Sequence, residues 1–317
     1  MRYGITIPLD RPIGHVGALA AHAEKLGFDE LWLADHYYNR DVAVALTLMA
    51  EHTETPTLGT AVASPFLRHP TLLASLAGTI GELAGERFVL GLGSGGYEFG
   101  QEMEISIKRP LAAIAESTRI VRELLAGRAD VAGDVFSARG SALRWPAART
   151  PVHLAARGPK MLALAGEIAD GVITHGISDT HIDYVRDKTG GGTDVCLMLD
   201  VEVGDDQRGA YERLRPRCLM MAGGSYADEL IDVYGLPRDQ VAALREAVRT
   251  DGRERAAELV TDDIAAAFGI AGPVSHVREQ LGRLDARGVD SVILSVGGGT
   301  ADEVADHMTR LAEAVHG

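Results

Sequence analysis

The sequence contains few cysteines and no pattern that would make use of them. Cys196 and Cys218 are the only two among 317 residues, and neither belongs to a CxxC or other metal-type spacing. Two cysteines do not form the disulfide framework of a small secreted domain, so a reducing, cytoplasmic location is expected. The first residues, MRYGITIPLD, lack the basic start and the apolar stretch of a signal peptide.

A basic region and a long apolar run are also missing. The 31 lysines and arginines are outnumbered by 45 aspartates and glutamates, which gives a formal net charge of −14. Without a basic face, we expect no binding to nucleic acid and no nonspecific binding to anionic membranes. No apolar run is long enough for a membrane-spanning helix. The 46% of hydrophobic residues nevertheless allow a substantial core.

Common catalytic signatures are absent as well. The sequence shows no HExxH, GxSxG or P-loop pattern and no clustered His/Asp spacing, so no metal site is predicted. An enzyme without such groups would take its chemistry from an organic cofactor.

What the chain does contain is an alternation of short β-rich segments with longer helical ones. Strands are predicted at 3–7, 29–34, 57–62, 88–93, 152–156, 171–176, 194–203 and 290–299. Apolar strands that are each followed by a helix indicate a parallel sheet covered on both faces. Eight such units predict a closed (β/α)8 TIM barrel, with residues 1–317 as a single domain. The alternative, an open doubly wound sheet, more often shows GxGxxG after its first strand.

Two segments interrupt the alternation. Residues 129–149 predict a β-hairpin or an extended excursion before the fifth strand. Residues 208–289 hold several helical segments between the seventh and eighth strands. We interpret them as a helical insertion together with the helix that leads into the last strand.

In a TIM barrel the active site gathers where the strands end. Asp35 and His36 follow the second strand, and an imidazole there is suited to give or take a proton. The alternative is that Asp35 only caps the next helix and His36 is merely partly exposed. His175 follows the sixth strand as a second candidate imidazole, with a structural role equally possible. His153, inside the fifth strand, is given no role.

The third and fourth strands end in less specific segments. Val62-Ala63-Ser64-Pro65 leaves its strand without periodicity, which fits either a bulge or an ordinary loop. GLGSGGYEFG, at 91–100, has five glycines that permit close backbone approach, and its amides are suited to a phosphate or a ring carbonyl. Glu98 in this loop is a possible acid or base, or only a surface carboxylate.

The fifth strand ends in AARGPK, at 155–160. Gly158 is suited to be an N-cap and Pro159 to be the first helical residue. Arg157 and Lys160 then stand at the positive end of the helix dipole, which is unfavourable unless an anion binds between them. We favour a phosphate site here over two side chains that simply extend into water.

Several segments resemble the bacterial luciferase-like superfamily, and within it the coenzyme F420-dependent oxidoreductases similar to methylenetetrahydromethanopterin reductase. The matching segments are GFDELWLADH (27–36), LGTAVASPFLRHP (58–70), RFVLGLGSGG (87–96), PVHLAARGPKMLALAGEIADGVI (151–173) and GVDSVIL (288–294). They occur in the expected order over nearly the whole chain, and the 151–173 segment is the most specific.

The resemblance implies hydride transfer between the deazaflavin C5 and an electrophilic carbon (C=C, C=N or C=O) of a small organic substrate. It implies that His36 handles the accompanying proton, with Asp35 beside the ring. A non-prolyl cis peptide at Ala61–Val62 is expected behind the ring. The remaining cofactor contacts would come from Ser94, Gly95, Gly96, Ala155, Ala156, Arg157, Gly158, Lys160 and His175.

The chain departs from the related sugar-phosphate dehydrogenases at two positions. They carry a glutamate where Gly96 stands and a tryptophan where Arg40 stands, which argues against glucose 6-phosphate as substrate. Whether Glu98 replaces that glutamate stays open. Two alternatives remain: an FMN-dependent monooxygenase of the same superfamily and a non-catalytic flavin-binding relative. The family often forms dimers through its second and third helices, so a homodimer is expected.

Overall fold

The strands of the computed structural model follow the predicted alternation. The structure describes residues 1–36, 38–95, 102–224 and 228–317. Its strands are β1 (Arg2–Thr6), β2 (Glu30–Leu33), β3 (Thr57–Thr60), β4 (Phe88–Leu92), β5 (Arg128–Val131), β6 (Ala138–Ala142), β7 (Val152–Ala155), β8 (Gly171–Thr174), β9 (Asp194–Val203), β10 (Gly269–Gly272) and β11 (Ser291–Ser295).

Helices lie between these strands. Within the described residues they are α1 (Gly14–Lys25), α2 (Val42–His52), α3 (Pro70–Leu83), α4 (Pro110–Leu125), α5 (Pro159–Ile168), α6 (Asp179–Thr189), α7 (Gln207–Ala222), α8 (Glu229–Tyr234), α9 (Arg238–Thr250), α10 (Arg253–Ala257), α11 (Asp262–Ala266), α12 (Val274–Ala286) and α13 (Ala301–His316). None of them is long and apolar enough to cross a membrane.

The fold is the predicted closed barrel of parallel strands with flanking helices. The sheet has the order β10-β9-β11-β1-β2-β3-β4-β7-β8, and a further pairing of β9 with β8 closes it. Residues 129–149 contain the expected hairpin, since β5 and β6 pair in antiparallel fashion. One strand was not predicted: β10 lies inside the 208–289 insertion and pairs in parallel with the far end of β9.

The chain divides into two compact units. The larger unit comprises Thr6–Ile173 and Thr189–Asp194, and the smaller comprises Met1–Ile5, Thr174–Lys188 and Val195–Gly317. The predicted insertion therefore lies wholly within the smaller unit.

Glycines set how closely the strands of the larger unit approach each other. A Cβ on Gly59 would lie 2.3 Å from the Trp32 ring, and one on Gly171 would lie 2.6 Å from Nε2 of His153. The two large side chains therefore occupy the space that the glycines leave. His153 is thus a buried packing residue of strand β7, with an exposed fraction of 6%.

The closest approach is between β3 and β4. A Cβ on Gly91 would lie 1.9 Å from the carbonyl oxygen of Thr60. The Thr60 hydroxyl also donates to the Gly91 carbonyl over 2.9 Å, and the Gly91 amide donates back to that hydroxyl over 3.0 Å. Only glycine fits at position 91, because the neighbouring atom is backbone and has no rotamer by which to move away.

In the smaller unit, one arginine ties the insertion to the sheet. Arg217 of α7 donates to the Asp200 carboxylate over 2.8 Å and to the Glu202 carboxylate over 2.8 Å, and it also donates to the Ser295 carbonyl. These acceptors belong to the last residues of β9 and β11, so a half-buried guanidinium fixes α7 against both strands.

We predict that Gly91→Ala destabilises the protein by about 1–3 kcal/mol or more, because the new methyl group meets the backbone oxygen of Thr60. Urea unfolding measures the loss. Gly282→Ala is the matched control: nothing lies within 4 Å of its Cβ, so it should stabilise α12 by about 0.5–1 kcal/mol. Equal stability of Gly91→Ala and the native protein would show that β3 and β4 are not so close.

Candidate active site

The first feature of the site is an irregular turn where β3 ends. The peptide bond between Ala61 and Val62 is cis, as the resemblance predicted. Hydrogen bonds hold the turn on both sides. The Ala61 amide donates to the Leu33 carbonyl over 2.7 Å, and the Ala63 amide donates to the Gly91 carbonyl over 2.9 Å. The turn is therefore fixed to the ends of β2 and β4.

Beside this turn, three strand ends meet in a small apolar surface. A Cβ on Gly93 would lie 2.7 Å from Cγ2 of Val62 and 3.0 Å from Cβ of Ala155. Val62 follows β3, Gly93 follows β4, and Ala155 ends β7. We call these residues, Val62, Gly93 and Ala155, the apolar ledge. The ledge is apolar and carries no side chain larger than valine, as the face of a flat ring would require.

The segment after β4 is held to the segment after β3. The Ser64 hydroxyl donates to the Ser94 carbonyl over 3.1 Å, which makes Ser64 a buried link that the sequence did not single out. Ser94 is half-buried, and the exposed Gly95 has a φ of 78°, which favours glycine. The candidates Gly96 and Glu98 lie outside the described residues.

An ion-pair network occupies the end of β2. Arg68 donates from Nε to Oδ2 of Asp35 over 2.8 Å and from Nη2 to Oδ2 of Asp41 over 2.7 Å. The Asp35 side chain is only 8% exposed, so its carboxylate is committed to this arginine. Asp41, and not Asp35, is the N-cap of α2, since it accepts from the amides of Ala43 and Val44.

The network shifts the pKa values of Arg68 and Asp41. The hydrogen bond to Asp35 is the largest influence on Arg68 and raises the pKa of the guanidinium. Burial by itself raises the pKa of Asp41, but the hydrogen bond and charge of Arg68 and the two capping amides hold that pKa below its usual value. Asp41 is therefore ionised at neutral pH.

His36 lies in the exposed segment that this network spans. Its Nδ1 accepts from the Tyr38 amide over 3.4 Å, and its own amide donates to the Ala34 carbonyl over 3.0 Å. With Nδ1 as the acceptor, a neutral ring carries its proton on Nε2. The ring is exposed rather than buried, which suits a group that exchanges protons.

The start of α5 agrees with the sequence prediction. Gly158 is the N-cap, with φ −79° and ψ 155°, and Pro159 is the first helical residue. No side chain caps the helix and no acidic residue lies in its first turn. Arg157 is half-buried and Lys160 is exposed. The helix amides, Arg157 and Lys160 thus lie at the same end of α5, an arrangement that suits an anion.

Ala155 and Ala156 connect this helix start to the apolar ledge. Ala155 is part of the ledge, and the Ala156 amide donates to the Ile173 carbonyl over 3.0 Å. The chain then reaches the helix at Pro159. The segment from Ala155 to Pro159 therefore joins an apolar surface that suits a flat ring to a helix start that suits an anionic tail.

His175 belongs to the smaller unit. It is half-buried, and its Nδ1 lies 3.1 Å from the Met198 carbonyl oxygen. That oxygen can only accept, so Nδ1 carries the proton and His175 differs from His36 in its tautomer. Its assignment to the cofactor stays a prediction.

Within the parts of the chain that the structure describes, no group of three or more His, Cys, Asp or Glu side chains is arranged to hold a metal ion.

Sequence reasoning missed Arg68 and Asp41. Arg68 stands in the matching segment 58–70, but its partner Asp35 is 33 residues away and no local rule pairs them. The role of Asp41 could have been predicted, because an aspartate directly before a helical segment is a common N-cap.

The chain is similar to a group of known proteins. Residues 1–291 match the model of the luciferase-like monooxygenase family. A 5,10-methylenetetrahydromethanopterin reductase of Archaeoglobus fulgidus is 31% identical over 308 residues, covering 92% of each chain. A putative coenzyme F420-dependent oxidoreductase of Mycobacterium tuberculosis is 30% identical over 335 residues, covering 93% of each.

Among solved structures, the coenzyme F420-dependent tetrahydromethanopterin reductase of Methanopyrus kandleri has a similar fold. The TM-score is 0.85 at 24% identity, with 98% of this chain and 97% of the other covered. This similarity confirms the barrel.

We predict that Asp41→Asn lowers the stability of the protein at neutral pH by less than about 1 kcal/mol, because the lost ion pair is half-exposed. The folded-state pKa of Asp41 is lowered, so its contribution is complete above the unfolded pKa, about 3.9, and is lost as the pH falls through the folded pKa. Urea unfolding from about pH 7 to pH 3 should therefore show the two proteins converging in acid.

Asp41→Ala serves as the control for the helix cap. Asparagine still caps α2, whereas alanine removes the cap and should cost about 1 kcal/mol more at every pH. A difference between Asp41→Asn and the native protein that stays constant with pH would contradict the ion pair.

Proposed function

The chain belongs to the luciferase-like monooxygenase family, and we propose that it is a coenzyme F420-dependent oxidoreductase. It would transfer a hydride between the deazaflavin and an electrophilic carbon (C=C, C=N or C=O) of a small organic substrate. The observation that carries this proposal is the apolar ledge, which leads directly into a helix start with two cations and no anion in its first turn.

The residues present fit such a cofactor. Val62, Gly93 and Ala155 form a surface without large or charged side chains, as the face of a ring system requires. Arg157, Lys160 and the uncapped amides of α5 suit the phosphate of its tail. When bound, F420 supplies or accepts the hydride at C5 of its ring. The protein binds the cofactor and the substrate, orients them, and exchanges the proton.

His36 is the residue that we assign to the proton. Because its Nδ1 accepts from the Tyr38 amide, the neutral ring can donate only from Nε2. An imidazole can serve as a general acid or as a general base, so His36 suits either direction of this proton transfer. Asp35 would act beside it through its ion pair with Arg68, which holds the segment in place.

A second candidate is an FMN-dependent monooxygenase, which the name of the matching family favours. Deazaflavin lacks the ring nitrogen that supports oxygen chemistry, so the two cofactors imply different reactions. The same apolar ledge and helix start would suit either ring and either tail.

We also propose a cytoplasmic location. Neither Cys196 nor Cys218 forms a disulfide, and both are buried. Burial raises the pKa of the Cys218 thiol, so this cysteine stays a neutral packing residue.

A homodimer formed through α2 and α3 is the partner arrangement that we propose. Val44 on α2 and Leu72 and Leu83 on α3 expose 52%, 62% and 41% of their surface, although all three are large and apolar. Two adjacent helices that both expose apolar side chains suit a symmetric contact with a second copy.

We predict that the purified chain binds F420 and that the double variant Arg157→Ala/Lys160→Ala raises the dissociation constant by about 10- to 100-fold, because two charge-assisted contacts are lost. Fluorescence titration of each protein with F420 and with FMN measures this. The matched control, Arg139→Ala/Arg144→Ala, removes two exposed cations of the same unit and should change the constant less than about twofold.

An unchanged dissociation constant in the Arg157→Ala/Lys160→Ala variant would show that the phosphate does not bind at the start of α5. Binding of FMN alone would establish the monooxygenase instead. Tight binding of F420 without hydride transfer to any carbonyl, imine or alkene tested would indicate the non-catalytic relative. Failure to bind either cofactor would refute the functional proposal.

For the dimer, Leu72→Glu should weaken self-association at least about tenfold, because a charge would be buried in the contact. Sedimentation equilibrium at micromolar concentration measures it. Leu259→Glu changes another exposed leucine, 44% exposed and in the smaller unit, and should leave the mass unchanged. A native chain that sediments as a monomer would refute the proposed contact.

A further inference from the structure

One arginine holds both ends of the segment that carries His36. Asp35 precedes this segment and Asp41 ends it, and Arg68 donates to both carboxylates, over 2.8 Å and 2.7 Å. The bridge therefore joins the residue before His36 to the N-cap residue of α2 with a single guanidinium. Arg68 itself comes from the neighbouring segment between β3 and α3, two residues before Pro70.

The charges make this bridge necessary for the shape of the loop. Two carboxylates within reach of one guanidinium would repel each other if the positive charge were removed. Asp35 is 8% exposed and Asp41 is 49% exposed, so water would screen this repulsion only from the Asp41 side. Without Arg68, Asp35 would also be a buried carboxylate that has lost its cation.

The other contacts of the loop do not replace the bridge. The Arg40 amide donates to the Leu9 carbonyl over 3.3 Å, and the Arg40 side chain donates to the Asp10 carbonyl over 2.8 Å. The Asn39 amide donates to the His36 carbonyl over 3.0 Å. These bonds shape the middle of the loop, and none of them neutralises Asp35 or Asp41.

We propose that Arg68 is a positioning residue, which bridges Asp35 and Asp41 so that His36 keeps one place at the strand ends. The role of His36 in this inference rests on the proposed function, whereas the bridge itself does not. Arg68 acts on the reaction through His36, so its loss should lower the rate of the proton-coupled step more than a loss of stability alone explains.

The first test uses the chain without cofactor. Hydrogen exchange followed by mass spectrometry should show faster exchange in peptides that cover 34–46 for Arg68→Met, with other strand-end peptides unchanged. Arg122→Met is the matched control. It removes an ion pair to Asp170 of similar length, 2.6 Å, next to the first residue of β7 and thus at the opposite ends of the strands.

The second test measures turnover with F420 and an accepted substrate. Arg68→Met should lower kcat about 10- to 100-fold with a smaller change in KM, whereas Arg122→Met should leave both unchanged. Arg68→Lys should recover part of kcat, since it keeps the charge but cannot form the planar fork to both carboxylates. Asp41→Asn, which keeps the helix cap, should show a smaller loss of the same kind.

The proposal would be overturned if Arg68→Met and Arg122→Met had the same hydrogen-exchange rates and the same kcat. So would faster exchange spread evenly over the larger unit, because that outcome indicates general destabilisation. If the native chain does not bind F420, the proposed function fails, and the exchange experiment still decides whether Arg68 holds the loop.

Discussion

The close approach of β3 and β4 at their carboxyl ends is the constraint on which the site depends. At Gly91 the two backbones are so near that a Cβ would lie 1.9 Å from the Thr60 carbonyl oxygen. The residues that follow β3 and β4 are close together for the same reason. Ala63 can then bond to Gly91, Ser64 to the carbonyl of Ser94, and Val62 can touch Gly93. A wider spacing of the strands would remove the surface that we assign to the cofactor ring.

Positive charge is used in two different ways near this surface. Arg68 forms ion pairs with two carboxylates. Its charge is therefore neutralised within the protein and stabilises a loop. Arg157 stands before α5 and Lys160 within its first turn, which offers amides and no acidic side chain, so the helix dipole there favours an anion. The first arrangement gives rigidity, and the second gives affinity for an external anion.

Local rules explain which of these features the sequence predicts. Strand and helix periodicity locate the barrel, and Gly158 followed by Pro159 predicts the start of α5, because caps depend on adjacent residues. The pairing of Arg68 with Asp35 depends on how two loops approach in space, which no spacing records. Likewise β10 is a four-residue strand that forms by pairing with the end of β9, so periodicity could not separate it from the helices around it.

A protein with a net charge of −14 must bind an anionic cofactor against its own overall charge. The distances involved resolve this conflict, because at physiological salt charges separated by more than about 8 Å are largely screened from each other. Acidic residues beyond that distance would act weakly at the start of α5, where Arg157, Lys160 and the helix amides lie. The local arrangement at the strand ends, and not the sign of the whole chain, determines which ligands this fold can accept.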